Sequence, residues 1–197
     1  MRRDLPLLDH PELTLIECPA WLEYRVDNPR FLPDGPNGSE ATVAFFWLDA
    51  FVPLVIATLW PLPSRSPGTL ACLFVLLAIY LYARCTQVLW ESVVILPSLG
   101  LQLETHRGPP RIPLFVSRRF IPLSTLQDFI INEGLHGWDV RYYLAAIQQS
   151  RTGAVSLEVA YENLLPRFPV LLEVYYAVHE KLLNNGSNTD VHDEYHE

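Results

Sequence analysis

The sequence predicts an α+β membrane protein, in which an apolar helical hairpin precedes an antiparallel β-barrel closed by one C-terminal helix. Three observations predict it. The chain of 197 residues is 50% hydrophobic and 18% charged, against roughly 25% charged for an average soluble domain. Two apolar runs lie close together, Val43–Leu62 and Thr69–Ala83. A series of short alternating segments then ends in one stretch of helical period. The net charge is −8, from 14 basic and 22 acidic side chains, which argues against a nucleic-acid partner. Mean hydropathy is +0.15. Cys18, Cys72 and Cys85 make an odd set with no pairing logic.

Residues 1–42 hold six prolines and no long periodic run, with Leu13–Ile16 and Trp21–Val26 as short strand candidates. They form an expected cytoplasmic N-terminal segment. Residues 43–86 form the expected membrane hairpin, about 43–62 and 69–83, around the turn Pro63-Ser64-Arg65-Ser66-Pro67-Gly68. A span needs about 20 residues. The first run is long enough, and the second is short unless it continues toward Trp90. Full crossing and a re-entrant dip both fit. A signal peptide does not, because the first apolar run begins about forty residues into the chain. Arg65 is the only basic residue of the loop, so both termini are expected to be cytoplasmic. Asp49 lies inside the first run, where a charge costs about 2.5–3.5 kcal/mol at a helix centre. It is either a candidate contact to a partner helix or an interfacial residue on a shallow hairpin.

Residues 87–185 read as the folded extramembrane domain. Val88–Leu96, Leu101–His106, Leu114–Phe120, Leu126–Asn132, Val140–Gln149 and Ser156–Tyr161 are strand candidates. Pro166 announces a helix over Arg167–Leu183, with Asn185-Gly186 as its stop. About six antiparallel strands followed by one helix is a pleckstrin-homology-like element order. Residues 186–197 are polar and acidic, an expected disordered tail.

No phosphate loop and no nucleophile elbow is present. His192 and His196 lack the order of a helical zinc motif, so no metal and no cofactor is expected. Glu91 and Glu104 on neighbouring strands read as solvated. Arg118 and Arg119, within a cluster that also holds Arg107 and Arg111, are candidate lipid-headgroup contacts; a solvated strand end is the plainer reading. On the last helix, Phe168, Leu171, Leu172, Tyr175, Val178, His179, Leu182 and Leu183 form one broad face expected to cap the barrel. Val170, Val174 and Ala177 form a second apolar stripe. That stripe is either covered by the chain itself or a candidate partner interface.

Ser98-Leu99-Gly100 after Glu91–Pro97, then Ile131-Asn132-Glu133, then Tyr142-Tyr143-Leu144, then Pro166-Arg167-Phe168 leading into Leu172-Glu173-Val174-Tyr175 resemble the PIG-H family. The family-like residues are Ser98, Gly100, Asn132, Glu133, Arg167, Glu173 and Tyr175, and the resemblance covers roughly residues 43–183. It implies a subunit of the phosphatidylinositol N-acetylglucosaminyltransferase complex at the cytoplasmic side of the endoplasmic reticulum membrane. That complex transfers N-acetylglucosamine from UDP-N-acetylglucosamine to phosphatidylinositol, the first step of glycosylphosphatidylinositol anchor synthesis. It also implies a role without a catalytic site of its own, beside a PIG-A-like catalytic subunit and the other subunits. Such a role agrees with the residues, because about one hundred residues of barrel do not supply nucleotide-binding α/β domains. A stand-alone membrane-tethered phospholipid-binding module and a small membrane enzyme are the alternatives.

Overall fold

The computed structural model describes residues 3–7, 10–31, 52, 54–55, 57, 67–109, 112–150 and 152–183. Its strands are β1 (Arg3–Leu7), β2 (His10–Cys18), β3 (Trp21–Asp27), β4 (Val88–Leu96), β5 (Gly100–Arg107), β6 (Phe115–Pro122), β7 (Leu126–His136), β8 (Asp139–Gln149) and β9 (Val155–Ala160). Its helices are α1 (Pro67–Cys85) and α2 (Phe168–Val178), and α2 runs on as a π-turn over His179–Leu183. β1 to β6 form one sheet in chain order, and β7 to β9 form a second. The registered pairs β1–β2, β2–β3, β3–β4, β7–β8 and β8–β9 are antiparallel.

The expected fold class is corrected here. Among the described residues no helix is long and apolar enough to cross a membrane, and no apolar helical hairpin is seen. The physical reason is length. α1 has 19 residues, but it opens on Pro67-Gly68-Thr69 and carries Arg84 in its last turn, so the apolar stretch between them covers about 21 Å at about 1.5 Å per residue, short of the roughly 30 Å of a bilayer core. The other expected arm, Val43–Leu62, lies outside the described residues apart from Val52, Leu54, Val55 and Ala57. The strands form two sheets, and the sheet begins before the domain boundary drawn from sequence. β3 pairs with β4 through Leu22–Ile95, Tyr24–Val93 and Val26–Glu91, so β1 to β3 extend the same sheet.

The chain divides into two compact units. The first comprises Met1–Asp27, Trp90–His106 and Val116–Glu197. Its core follows from strand alternation. Tyr24 and Val26 of β3, Val93 and Ile95 of β4, and Leu101 and Leu103 of β5 are buried together. Phe129 of β7, Leu144 and Ala146 of β8, and Val170, Leu171 and Val174 of α2 complete the same cluster. α2 begins at Arg167, whose extended backbone (φ −65°, ψ 151°) caps the helix and whose carbonyl accepts the amides of Val170 and Leu171, with Pro169 in the first turn where its missing amide costs nothing. At its other end His179 Nε2 lies 2.9 Å from the Phe129 carbonyl and joins the π-turn to β7.

The second unit comprises Asn28–Leu89 and Arg107–Phe115. It holds α1, on which Phe74, Val75, Leu76, Ile79, Leu81 and Tyr82 are all more than half exposed. The Thr86 hydroxyl donates to the Tyr82 carbonyl at 2.9 Å and ends the helix. Asn28 donates from its side chain to the Val88 carbonyl and from its backbone to the Leu89 carbonyl.

Candidate functional site

β4 carries polar residues on both of its faces, and the two faces differ. Toward the core, Glu91 is 2% exposed. Its carboxylate accepts the Asn163 backbone amide at 3.1 Å, the Asn163 side-chain amide at 2.6 Å, the Leu164 amide at 3.1 Å and the Thr105 hydroxyl at 3.1 Å. Four donors replace the water that a buried carboxylate loses. Nearby, the Tyr161 hydroxyl donates to the Tyr24 carbonyl at 2.8 Å. Burial, then the Glu91 charge, push that phenol well above its usual range. Burial first, then the charges of Glu173, Glu180 and Glu17, push Tyr24 up to about 12.

On the opposite face a line of side chains crosses the sheet. The Arg25 guanidinium lies 3.8 Å from the Trp90 ring centre, within cation–π range. Trp90 stacks on His106 with centroids 4.5 Å apart. His106 Nε2 meets Glu104 at 2.9 Å, and Arg118 Nε donates to the other Glu104 oxygen at 2.9 Å. Burial opposes the Glu104 charge, but hydrogen bonds from His106, Gln102 and Arg118 outweigh it and hold the carboxyl below its ordinary range. Glu23 on β3 shifts the other way. Burial raises it, the Ser92 side chain opposes the rise, and the Glu104 charge adds to it.

These placements revise the expectations for single residues. Glu91 and Glu104 are not a solvated pair, because Thr105 reaches Glu91 from the core face and Glu104 points to the other side. Arg118 and Arg119, candidates for headgroup contact, each hold a carboxylate already: Arg118 binds Glu104, and Arg119 binds Glu158 at 2.6 Å. Asp49 lies outside the described residues, as do His192 and His196. Among the described residues no group of three His, Cys, Asp or Glu side chains is placed to hold a metal ion.

The stripe Val170, Val174 and Ala177, offered as a partner interface, is core. Val170 and Val174 are 0% exposed and Ala177 9%. Phe168, expected to be buried, is 43% exposed. At about 100° per residue, the buried face of α2 is turned by roughly one residue step from the expected one. The reason is the two-sided environment: α2 packs on β7 and β8 and shares the core with β3 to β5. The narrower, more strongly apolar stripe therefore points inward. Glu173 is exposed, and Tyr175 packs against the His179 ring at 4.2 Å.

The family-like residues sort into structural roles. Ser98 adopts φ 71° and Gly100 φ 143° in the β4–β5 turn. A Cβ on Gly100 would collide with the Ile121 carbonyl and the Leu123 amide, so glycine lets the turn lie against the end of β6. Leu123 donates to the Leu99 carbonyl at 2.9 Å and holds that approach. Asn132 turns its side-chain oxygen onto the Glu133 amide at 2.8 Å. Glu133 sits opposite Tyr142 in the β7–β8 register. Its carboxylate takes the Tyr142 hydroxyl, and that bond, followed by the carboxylate's charge, raises the phenol above its usual range. Arg167 is exposed at the start of α2.

The chain is similar to known proteins. The family model described as "GPI-GlcNAc transferase complex, PIG-H component" matches residues 92–162, from β4 to the segment that follows β9. The Schizosaccharomyces pombe phosphatidylinositol N-acetylglucosaminyltransferase subunit gpi15 is 32% identical over 69% of this chain and 82% of its own length. The H subunit of the same transferase from Bos taurus is 27% identical over 83% of this chain and 82% of its own length. The Homo sapiens H subunit is 26% identical over 87% and 86%. No solved structure matches. A likeness of that extent to the fission yeast protein shows that the chain belongs to the PIG-H family.

Proposed function

We infer that this chain is the PIG-H component of the phosphatidylinositol N-acetylglucosaminyltransferase complex and so serves glycosylphosphatidylinositol anchor biosynthesis. The observation that carries the inference is the match to the fission yeast protein over 82% of that protein's length. The finer reading is an accessory role. The chain binds and supports a PIG-A-like catalytic subunit at the endoplasmic reticulum membrane, facing the cytoplasm, and does not itself transfer the sugar. Its support is the engagement of the site's charged groups: Glu91 is spent on four protein donors, and Glu104 on Arg118, His106 and Gln102. A stand-alone lipid module resting on Arg118 and Arg119 is disfavoured by the carboxylates that both already hold.

The test is replacement of the fission yeast relative by this chain carrying an affinity tag. The expected result is growth, recovery of the other transferase subunits with the tag, and transfer activity in the recovered complex. The purified chain alone should show no transfer. Recovery of the chain free of any transferase subunit overturns the assignment to the complex. Sugar transfer by the pure chain overturns the accessory role.

A further inference from the structure

β7 and β8 overshoot their sheet. β9 pairs only with Leu144–Gln149 of β8, so Asn132–Tyr143 project as a two-stranded ribbon, a form that is marginal alone in water. Its end is apolar and bare. Trp138 is 104% exposed, Leu135 84% and Val140 59%. Between this ribbon and the start of α2 lies an open concavity of about 310 Å³ whose lining includes Arg141, Tyr142, Arg167 and Phe168. The Tyr142 and Phe168 rings meet at 4.8 Å and make one wall. The Arg167 side chain is exposed and holds no carboxylate among the described residues. Arg141 reaches Asp139, which also lines the concavity, only at 3.5 Å with both side chains more than half exposed. Water weakens such a pair, and a better acceptor displaces it readily.

We propose that this concavity binds the phosphodiester of an anionic glycerophospholipid, with Arg141 and Arg167 on the phosphate and the Trp138 tip in the surrounding membrane interface. Guanidinium groups match phosphate oxygens in geometry and charge. An indole beside exposed leucine and valine suits the boundary between headgroups and acyl chains. The apolar rim selects a lipid-borne phosphate over a free one, since a soluble phosphate gives Trp138, Leu135 and Val140 nothing to cover. The choice of phosphatidylinositol as probe rests on the function proposed above; the site itself does not.

The test uses the purified full chain and vesicles of phosphatidylcholine with and without phosphatidylinositol. The exposed side chains of α1 give a background that does not depend on headgroup, so the readout is the ratio of binding to the two vesicle types. Wild type is expected to prefer phosphatidylinositol despite a net charge of −8. Arg141→Gln and Arg167→Gln should each cut the ratio about fivefold, and the pair about 25-fold, at unchanged melting temperature. If the double variant melts early, the two single variants carry the test. Arg118→Gln, at a paired arginine elsewhere, should leave the ratio unchanged. Trp138→Ser should weaken binding to both vesicle types and leave the ratio intact. An unchanged ratio in folded arginine variants overturns the proposal, as does an equal loss in Arg118→Gln. Competition by soluble glycerophosphoinositol as strong as that by lipid overturns the membrane source. No partner protein enters the assay, so its failure leaves membership of the complex standing, and the reverse also holds.

Discussion

Glu91 and Asn163 are joined twice, by the Asn163 backbone amide at 3.1 Å and by its side-chain amide at 2.6 Å, across 72 positions of sequence. The pair fixes the segment after β9 to the middle of β4. That segment is the approach to α2, so the direction in which α2 enters the core depends on one carboxylate.

Glu91→Leu removes the acceptor of four hydrogen bonds, from the Asn163 and Leu164 backbone amides, the Asn163 side chain and the Thr105 hydroxyl. A hydrogen bond to a charged group contributes about 1.5–3 kcal/mol. The expected loss is about 3 kcal/mol or more, a fall in melting temperature of roughly 6–12 °C for a chain of this size. Thermal unfolding followed by far-UV circular dichroism reads it. A melting temperature within about two degrees of wild type refutes this latch.

Gly100→Ala strikes the contact between the β4–β5 turn and β6. The new Cβ meets backbone atoms of Ile121 and Leu123, which do not move aside as a flexible side chain does, and φ of 143° is itself foreign to alanine. A cost on the order of 3 kcal/mol is expected. Leu99→Ala, in the same turn at an exposed position, is the control and should leave stability near wild type.

The pH dependence follows from Glu23. Its folded-state pKa is raised, chiefly by burial, so the folded chain favours the protonated acid. The stabilising contribution is fully present below the unfolded value and is lost as pH rises through the folded one. At neutral pH the ionised carboxylate therefore works against folding. Glu23→Gln should raise the melting temperature at pH 7, and its advantage should shrink as pH falls toward the ordinary carboxylate range. An advantage that is flat with pH, or a loss at pH 7, contradicts the assignment.

Glu104 has the opposite sign. Its pKa is held down by its hydrogen-bond donors, so its contribution is present above the unfolded value and lost on acidification. Glu104→Gln should destabilise at pH 7 and converge on wild type in acid. Chemical denaturation of both variants at two pH values separates the two carboxylates.

The strands are legible in the sequence because alternation is local. Val88–Leu96 is the span of β4 expected and observed, and Asp139–Gln149 differs from expectation by one residue. What is not legible depends on register. Nothing within Trp21–Val26 says that Arg25 will lie over Trp90, because that contact requires β3 to pair with β4 across the intervening chain. Arg118 and Arg119 read as free cations for the same reason; their carboxylates lie 14 and 39 positions away. The hairpin expectation fails on length, since apolar composition alone does not measure a span. The ribbon tip escapes notice because Leu135, Gly137 and Trp138 look like an ordinary turn until the reach of β9 is known.

The face of α2 supplies the last prediction. Helical period names two stripes on it and does not say which one the core takes. Val170 and Val174 are fully buried, among Phe129, Leu144 and Leu171 in one cluster. Val174→Asp buries a charge with no partner, which proteins tolerate only by unfolding locally or protonating the acid. Loss of the folded domain is expected, and any loss of partner subunits with it would be secondary. Tyr176 stands on the outer side, 60% exposed, so Tyr176→Asp should leave the melting temperature within about 1 °C. The two variants divide the roles of the helix. If Val174→Asp unfolds while Tyr176→Asp stays folded and keeps its partners, α2 serves the core alone. If Val174→Asp stays folded and loses its partners, the burial assigned to this stripe is wrong.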